Sequence, residues 1–221
     1  MKILLIAGHG DGDFGAVANG YKEADLTREV AKLLKPQLDN YADVDIASTS
    51  KNWFQYLKTN TFNFKPYDYA LEIHFNACVN DLKGDGKTTG TEIYITTSEK
   101  THGVETNIVN NISKSGFKNR GVKRKNFSVI NKIKMQGVSS ALLEMCFIDD
   151  IDDIKLYQSK KAEVIKAIAD GIIKGFQLKK KEPDNITILK TKLGLEQQTI
   201  EYLQAYKYGK ELIEKIANAI K

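Results

Sequence analysis

The feature that most constrains this chain is the alternation of short apolar runs with segments of helical spacing. Residues 2–7 form an apolar run that ends in a glycine-rich loop, as is typical of a buried parallel strand. Apolar residues then recur at helical spacing, which predicts an amphipathic helix over residues 22–39. Because the same alternation continues to residue 176, we predict an α/β fold with a mainly parallel sheet and helices on both faces.

The remaining elements follow from the same two periodicities. Further strands are predicted at 43–47, 67–75, 91–97 and 138–145, and further helical segments at 53–57, 104–112, 151–157 and 162–176. In open sheets of this type, ligands bind beyond the carboxyl ends of the strands. Polar side chains at those ends are therefore the first candidates for chemistry.

The composition changes near residue 178. A charged stretch with one proline, residues 178–185, predicts a linker between a main domain at 1–177 and a short all-helical C-terminal module at 186–221. Gly194 and Gly209 interrupt the helical pattern of the module, and we interpret both as helix stops. A module of this size is near the lower limit for independent folding.

The net charge, the cysteine count and the lengths of the apolar runs say only a little about where the protein acts and what it binds. The net charge of +5 is compatible with a weakly attracted anionic partner and equally with solubility alone. Two cysteines are too few for a disulfide framework. The first apolar run is shorter than the roughly 7–15 residues of a secretory signal, and no run reaches the roughly 20 that span a bilayer. We expect synthesis in the cytoplasm without a signal peptide, and no stable membrane insertion.

Four ionisable residues lie at the predicted edge of the sheet where ligands are expected to bind. His9 follows the first strand, Glu23 begins the first helix, His74 ends the third strand, and Glu144 ends a later one. Two imidazoles and one carboxylate form a ligand set that catalytic zinc uses, and a further carboxylate can then serve as general base. The alternative is that all four are hydrogen-bonded polar residues at strand ends.

A second interpretation of the first loop is a dinucleotide site. Gly10, Gly12 and Gly15 match the glycine spacing of that site, after a strand and before a helix. Asp11 and Asp13, however, bring two carboxylates to the space that a pyrophosphate would occupy. Their charge argues against a dinucleotide.

Five sequence blocks, in order, resemble those of zinc-dependent N-acetylmuramoyl-L-alanine amidases of the amidase-3 type. The blocks are Gly8-His9-Gly10 through Glu23, Ile73-His74-Phe75-Asn76-Ala77, Gly90-Thr91-Glu92-Ile93-Tyr94-Ile95, Asn119-Arg120-Gly121-Val122-Lys123 and Leu142-Leu143-Glu144-Met145-Cys146-Phe147-Ile148. The likeness covers about residues 1–177. It implies hydrolysis of the amide between the lactyl group of N-acetylmuramic acid and the L-alanine of the stem peptide.

The resemblance also implies roles for individual residues. It implies zinc (Zn2+) as the cofactor, with His9, Glu23 and His74 as its ligands and Glu144 as the catalytic acid and base. Asn76, Asn119 and Arg120 are candidates for substrate binding, since arginine suits a stem-peptide carboxylate. For Asn119 and Arg120 the alternative is a simple turn.

The chain departs from the common family pattern at three positions near the site. Ala7 stands where proline is usual, Glu72 where serine is common before Ile73, and Cys146 where glycine is common. None of these changes removes an expected ligand or the expected base. Glu72 and Cys146 affect the expected shape of the substrate cleft.

Together these observations predict a peptidoglycan hydrolase, a phage or prophage endolysin that lyses a Gram-positive host. We expect it to reach the cell wall through a holin pore or after lysis, with peptidoglycan as partner and no nucleic acid. Three alternatives remain: a host autolysin of the same activity, a zinc peptidase that cuts within the stem peptide, and a non-catalytic wall-binding protein. Module 186–221 is a candidate for wall binding, with Tyr202, Tyr206 and Tyr208 able to stack on sugars or to pack on the main domain.

Overall fold

The computed structural model describes residues 1–220, so Lys221, the last residue of the predicted module, lies outside the described residues. The chain forms two compact units, Met1–Lys179 and Lys180–Lys221. The first unit is a sheet between two layers of helices, and the second is a set of three helices.

Eight strands form one large and one small sheet in the first unit. They are β1 (Lys2–Ala7), β2 (Val17–Ala18), β3 (Tyr21–Lys22), β4 (Asp43–Ile46), β5 (Tyr69–Asn76), β6 (Thr91–Ile95), β7 (Asn119–Arg124) and β8 (Ser139–Phe147). The large sheet has the order β4-β1-β5-β8-β6-β7, and β2 pairs with β3. Neighbours in the large sheet are parallel except β6 and β8, which are antiparallel. The predicted mainly parallel sheet is confirmed.

Helices cover both faces of this sheet, as predicted. They are α1 (Glu23–Asp39), α2 (Trp53–Thr59), α3 (Gly103–Lys114), α4 (Ser128–Lys134) and α5 (Ile151–Gly175). One apolar core lies under α1, α3 and α5, and a smaller one lies under α2 and α4. Helix α5 consists of two helical segments that meet at a kink, in agreement with the two predicted segments. Lys160 within it has non-helical angles (φ −118°, ψ 21°), and this kink explains the break in the apolar pattern.

The central strands are buried on both sides, which explains their nearly continuous apolar sequence. The exceptions lie on the face of the sheet that α2 and α4 cover. Every second residue of β5, β8 and β6 points to that face. His74 is in register with Glu144, and Glu144 with Glu92, so three ionisable side chains form a row across the sheet. Strands β5 and β8 continue two and three residues beyond His74 and Glu144, so these residues lie within their strands rather than at the predicted ends.

The second unit is all-helical, as predicted. Its helices are α6 (Asn185–Leu193), α7 (Gln197–Ala205) and α8 (Gly209–Ile220), around the apolar side chains Ile188, Leu189, Ile200, Ile213 and Ala217. Gly194 ends α6 in a left-handed conformation (φ 65°), as a helix stop does. Gly209 begins α8, so its interpretation as a stop is wrong. A Cβ at Gly209 would lie 1.8 Å from the carbonyl oxygen of Leu203, so close approach to α7 requires glycine there.

The segment at residues 119–121 is neither a simple turn nor a loop, because it opens β7, with a break in register against β6. No helix in the described residues is long and apolar enough to cross a membrane.

Candidate active site and metal centre

Three predicted ligands converge above the carboxyl end of β1. Ligand atoms of His9, Glu23 and His74 all lie within 4.8 Å of one another. His9 Nε2 is 3.0 Å from Glu23 Oε2, and His74 Nδ1 is 2.8 Å from Glu23 Oε1. Glu23 is buried, and backbone N–H groups of Ala16 and Phe75 donate to its two oxygens. The carboxylate is therefore fixed between the two imidazoles.

The loop that presents His9 is strained and tightly held. His9 has a left-handed backbone (φ 62°), which is uncommon for a residue with a side chain and is concentrated at functional sites. The guanidinium of Arg28 donates to the carbonyl oxygens of Gly8, His9 and Thr49, and so locks the loop onto α1 and the segment after β4. Arg28 was not among the residues singled out from the sequence.

Two glycines make room for the ligands. A Cβ at Gly8 would lie 2.4 Å from the His74 ring, so no side chain fits between β1 and that imidazole. Gly15 has a positive φ of 65°, and a Cβ there would lie 2.6 Å from both Glu23 Oε2 and the His9 ring. The glycines of this loop thus serve the His/Glu cluster, in line with the rejection of a dinucleotide site.

The second nitrogen of each imidazole faces another carboxylate. Asp13 Oδ2 is 3.0 Å from His9 Nδ1, and Glu72 Oε1 is 3.2 Å from His74 Nε2. Burial lowers the pKa of His74, but its hydrogen bonds to Glu23 and Glu72 outweigh burial, so the net pKa lies well above the usual value. For Glu23, the hydrogen bonds from the two imidazoles outweigh burial and hold its pKa well below the usual value.

Glu144 lies beside this cluster, in register with His74 on the neighbouring strand. Its Oε2 is buried and has no hydrogen-bond partner. Burial raises the pKa of Glu144 to about 7, against the lowering effect of His74 and with the support of the charges of Glu23, Glu92 and Glu72. A carboxyl group with a pKa near neutrality can both accept and donate a proton in ordinary buffers.

Glu92 is a functional candidate that the sequence did not single out. It is in register with Glu144, is 1% exposed, and accepts hydrogen bonds from Asn76 and from the cationic groups of Arg120 and Lys123. Its signal in the sequence was its place in block 90–95, which resembles the amidase family. Glu92 fixes two cations beside the row of ionisable residues.

The predicted substrate-binding residues occupy different positions. Asn76 lines a cavity of about 410 Å³ that also contains His9, Glu23, His74 and Glu144. Arg120 and Asn119 do not line this cavity; the Arg120 Nε is 2.5 Å from Glu92 Oε2, and the exposed Asn119 donates to Asn110. Other walls of the cavity are apolar side chains, among them Trp53, Phe54, Phe127 and Val129.

A second acidic group, Asp81, Asp150 and Asp152, also has oxygens within 4.8 Å of one another. These carboxylates are hydrogen-bonded to backbone N–H groups. Asp150 caps α5 by accepting from Asp152 and Asp153, while Asp81 and Asp152 accept from loop glycines. Asp150 and Asp152 lie at the start of α5, where carboxylates cap free N–H groups and favour the helix dipole.

Comparison with known proteins agrees with this geometry. The family model described as N-acetylmuramoyl-L-alanine amidase matches residues 3–174. The chain belongs to the N-acetylmuramoyl-L-alanine amidase family. It is 30% identical over 190 residues to the endolysin of Bacillus phage SPP1, a match that covers 81% of this chain and 67% of the endolysin.

Other members of the amidase family give the same picture. The chain is 31% identical over 192 residues to the amidase CwlM of Bacillus licheniformis, covering 81% of this chain and 70% of CwlM. Its fold is shared with the amidase AmiC2 of Nostoc punctiforme, with a TM-score of 0.63 and 20% identity over 80% of this chain and 97% of AmiC2. The predicted family, fold and peptidoglycan amidase class are thereby confirmed.

Proposed function

We propose that this amidase is zinc-dependent, with His9, Glu23 and His74 as the ligands and Glu144 as the acid and base. The reaction is hydrolysis of the amide between the lactyl group of N-acetylmuramic acid and the L-alanine of the stem peptide. The observation that carries the proposal is the convergence of the three ligand groups within 4.8 Å, with Glu144 in register beside His74.

The residues present fit a divalent cation. Four carboxylates, those of Asp13, Glu23, Glu72 and Glu144, surround two imidazoles, so negative charge is in excess. One oxygen each of Glu72 and Glu144 is buried without a hydrogen-bond partner, and an uncompensated buried charge is costly. A set of two histidines and one glutamate is one that catalytic zinc uses.

When bound, zinc supplies Lewis-acid activation of water and of the substrate carbonyl. Glu144 takes a proton from the attacking water as the new carbon–oxygen bond forms, and returns a proton to the nitrogen as the carbon–nitrogen bond breaks. The products are a lactyl carboxylate and a free L-alanine amine. Burial raises the pKa of Glu144 above its usual value, which suits the carboxyl group to both transfers.

Substrate recognition is proposed for Asn76, Asn119 and Arg120. Asn76 lines the cavity that contains the ligand groups, and Glu92 holds it there through a 3.1 Å hydrogen bond. Glu92 also holds Arg120 by its Nε, and the two terminal nitrogens of that guanidinium have no hydrogen bond within the described residues. They can bind a stem-peptide carboxylate in bidentate geometry. Asn119 is exposed on β7 beside Arg120.

Arg120→Ala tests this part of the proposal. We expect a higher KM and little change in kcat for a stem peptide with a free carboxylate, because the guanidinium binds substrate away from the reacting bond. The control is the same variant with an amidated stem peptide, on which it should resemble the wild type. An unchanged KM for both peptides would reject the role of Arg120.

We propose that the second unit binds the cell wall. Tyr202, Tyr206 and Tyr208 are more than half exposed, and aromatic rings with a polar edge are suited to stacking on sugars. Their replacement by alanine in a Glu144→Gln background should reduce sedimentation with purified Gram-positive walls. Sedimentation equal to that of Glu144→Gln alone would reject the targeting role.

The biological setting that we propose is host lysis by a phage or prophage endolysin. Similarity to the phage SPP1 endolysin supports this setting, while a sporulation-specific amidase and a probable autolysin are related to a similar degree. Expression in a Gram-positive host separates the two settings. Lysis that requires co-expression of a holin would support an endolysin, and lysis without a holin would support an exported autolysin.

A further inference from the structure

Glu72 is a buried carboxylate whose hydrogen bonds are unusual. It is 4% exposed and lies on β5, two residues before His74 and on the same face of the sheet. Its Oε1 lies 3.2 Å from His74 Nε2, and its Oε2 has no hydrogen-bond partner. Among the described residues, the His74 imidazole is thus the one hydrogen-bond partner of this buried carboxylate.

The two nitrogens of His74 face different groups. Nδ1 faces Glu23, with which His74 shares the candidate metal centre, whereas Nε2 faces Glu72 on the other side of the ring. Glu72 is outside the group of three ligand residues. With a cation on the Nδ1 side, the ring proton of His74 resides on Nε2, where it donates to Glu72.

We propose that Glu72 is a positioning residue for His74. It fixes the tautomer and the ring orientation of His74 and thereby strengthens metal binding. The inference rests on the proposed metal centre. Carboxylates that accept the free N–H of a metal-bound histidine make the imidazole more basic toward the metal.

A cation at the metal centre would also stabilise the buried carboxylate of Glu72. One oxygen of Glu72 has no hydrogen-bond partner, and a cation on the other side of the imidazole offsets the cost of that buried charge. Removal of the carboxylate should therefore weaken metal binding. A purely structural role predicts instead a lower Tm of the metal-free protein with an unchanged metal affinity.

Zinc affinity of the full chain, measured by competition with a chromophoric chelator, tests the inference. We expect Glu72→Ser to raise the Kd for zinc by roughly 10–100-fold, the range typical for loss of such a partner. Glu72→Gln retains an acceptor oxygen without the charge, so its Kd should lie between those of Glu72→Ser and the wild type. Glu105→Gln is the matched control, because Glu105 is also a buried carboxyl in the first unit but bonds to Tyr69, and its Kd should not change.

Exchange of the His74 ring proton with water is a second measurement, and a purely structural role of Glu72 would leave its rate unchanged. The chain has three histidines, so their imidazole nitrogens can be assigned by NMR from single variants. In the zinc-loaded wild type we expect a slowly exchanging proton on His74 Nε2. In Glu72→Ser that proton should exchange rapidly with water, and in Glu105→Gln it should remain protected.

The outcomes separate this inference from the proposed function. A Kd for Glu72→Ser within twofold of the wild type, with the ring proton still protected, would overturn the role of Glu72 and leave the metal centre intact. A wild type that binds no zinc, or that binds it no better than His74→Ala, would overturn the metal centre and this inference with it. If Glu72→Ser does not fold, Glu72→Gln carries the test, and a wild-type Kd and protected ring proton in that variant would overturn the inference.

Discussion

Replacement of Glu144 by glutamine removes one ionisable group from the cavity and changes its shape very little. In the proposed mechanism this carboxylate makes both proton transfers, so kcat should fall by about 10²–10⁴-fold, the range typical of general acid–base catalysis. Zinc content should stay at the wild-type level, because Glu144 is outside the ligand group of His9, Glu23 and His74.

The same substitution has a calculable effect on stability. The rise in the pKa of Glu144 from 4.5 to about 7 corresponds to about 3 kcal/mol, at about 1.4 kcal/mol for each pH unit. Because the pKa of Glu144 is higher in the folded than in the unfolded protein, the free energy of unfolding of the wild type falls by about 3 kcal/mol as the pH rises from about 4.5 through about 7. Metal-free Glu144→Gln should therefore gain up to about 3 kcal/mol relative to the wild type at pH 8, or about 6–12 °C in Tm, and little at pH 4.

The assay is release of L-alanine-terminated peptides from purified walls, paired with thermal unfolding of the metal-free protein at pH 4 and pH 8. Glu105→Gln is the control, because it also neutralises a buried carboxyl but should retain full activity. A kcat within tenfold of the wild type would refute the acid–base role of Glu144. An equal Tm difference at the two pH values would refute the electrostatic reasoning.

Gly15→Ala should abolish zinc binding, because its Cβ would lie 2.6 Å from Glu23 and the His9 ring. Gly12→Ala also has a positive φ but nothing within 4 Å of its Cβ, so it should lower the free energy of unfolding by only about 1–2 kcal/mol. Zinc titration and denaturant unfolding of both variants check this, and wild-type zinc affinity in Gly15→Ala would contradict it. The acidic limb of the kcat/KM profile should lie between pH 4.5 and 7, because the cation offsets part of the rise that burial causes in the pKa of Glu144. Glu92→Gln should move this limb to lower pH, because it removes a neighbouring negative charge. A limb unchanged in Glu92→Gln would contradict the assignment of the limb to Glu144.

Much of the site could be predicted because its residues carry local signals. His9, His74 and Glu144 are ionisable groups that follow apolar runs, and the parallel arrangement of strands brings such groups to one region of a sheet. The proposed roles of these residues stay predictions until the experiments above are done. Their convergence with Glu23 is present in the structure.

The contacts that depend on strand pairing could not be predicted. The antiparallel pairing of β6 with β8, which sets Glu92 beside Glu144, has no signature in either strand alone. Strand β7 was missed because residues 119–124 are polar and lie at the sheet edge, where alternation is weak. Helix α4 is only seven residues long, so its pattern covers too few turns to stand out.

The partners of the two imidazoles were missed for a similar reason. The hydrogen bond from His74 to Glu72 depends on side-chain conformation within one strand, and that from His9 to Asp13 depends on a left-handed residue in the first loop. Neither feature is encoded in apolar periodicity. Glu72 was noticed in the sequence only as a departure from the family's common serine.

Hydrolysis of the muramoyl–L-alanine amide at a zinc site can be tested in one experiment. Mass spectrometry of the fragments released from purified Gram-positive peptidoglycan, with and without a zinc chelator, identifies both the bond that is cut and the need for the metal. We expect free stem peptides that begin at L-alanine, absent under chelation and restored by zinc. Fragments cut within the stem peptide would contradict the assigned bond, and unchanged release under chelation with no zinc in the protein would contradict the metal site.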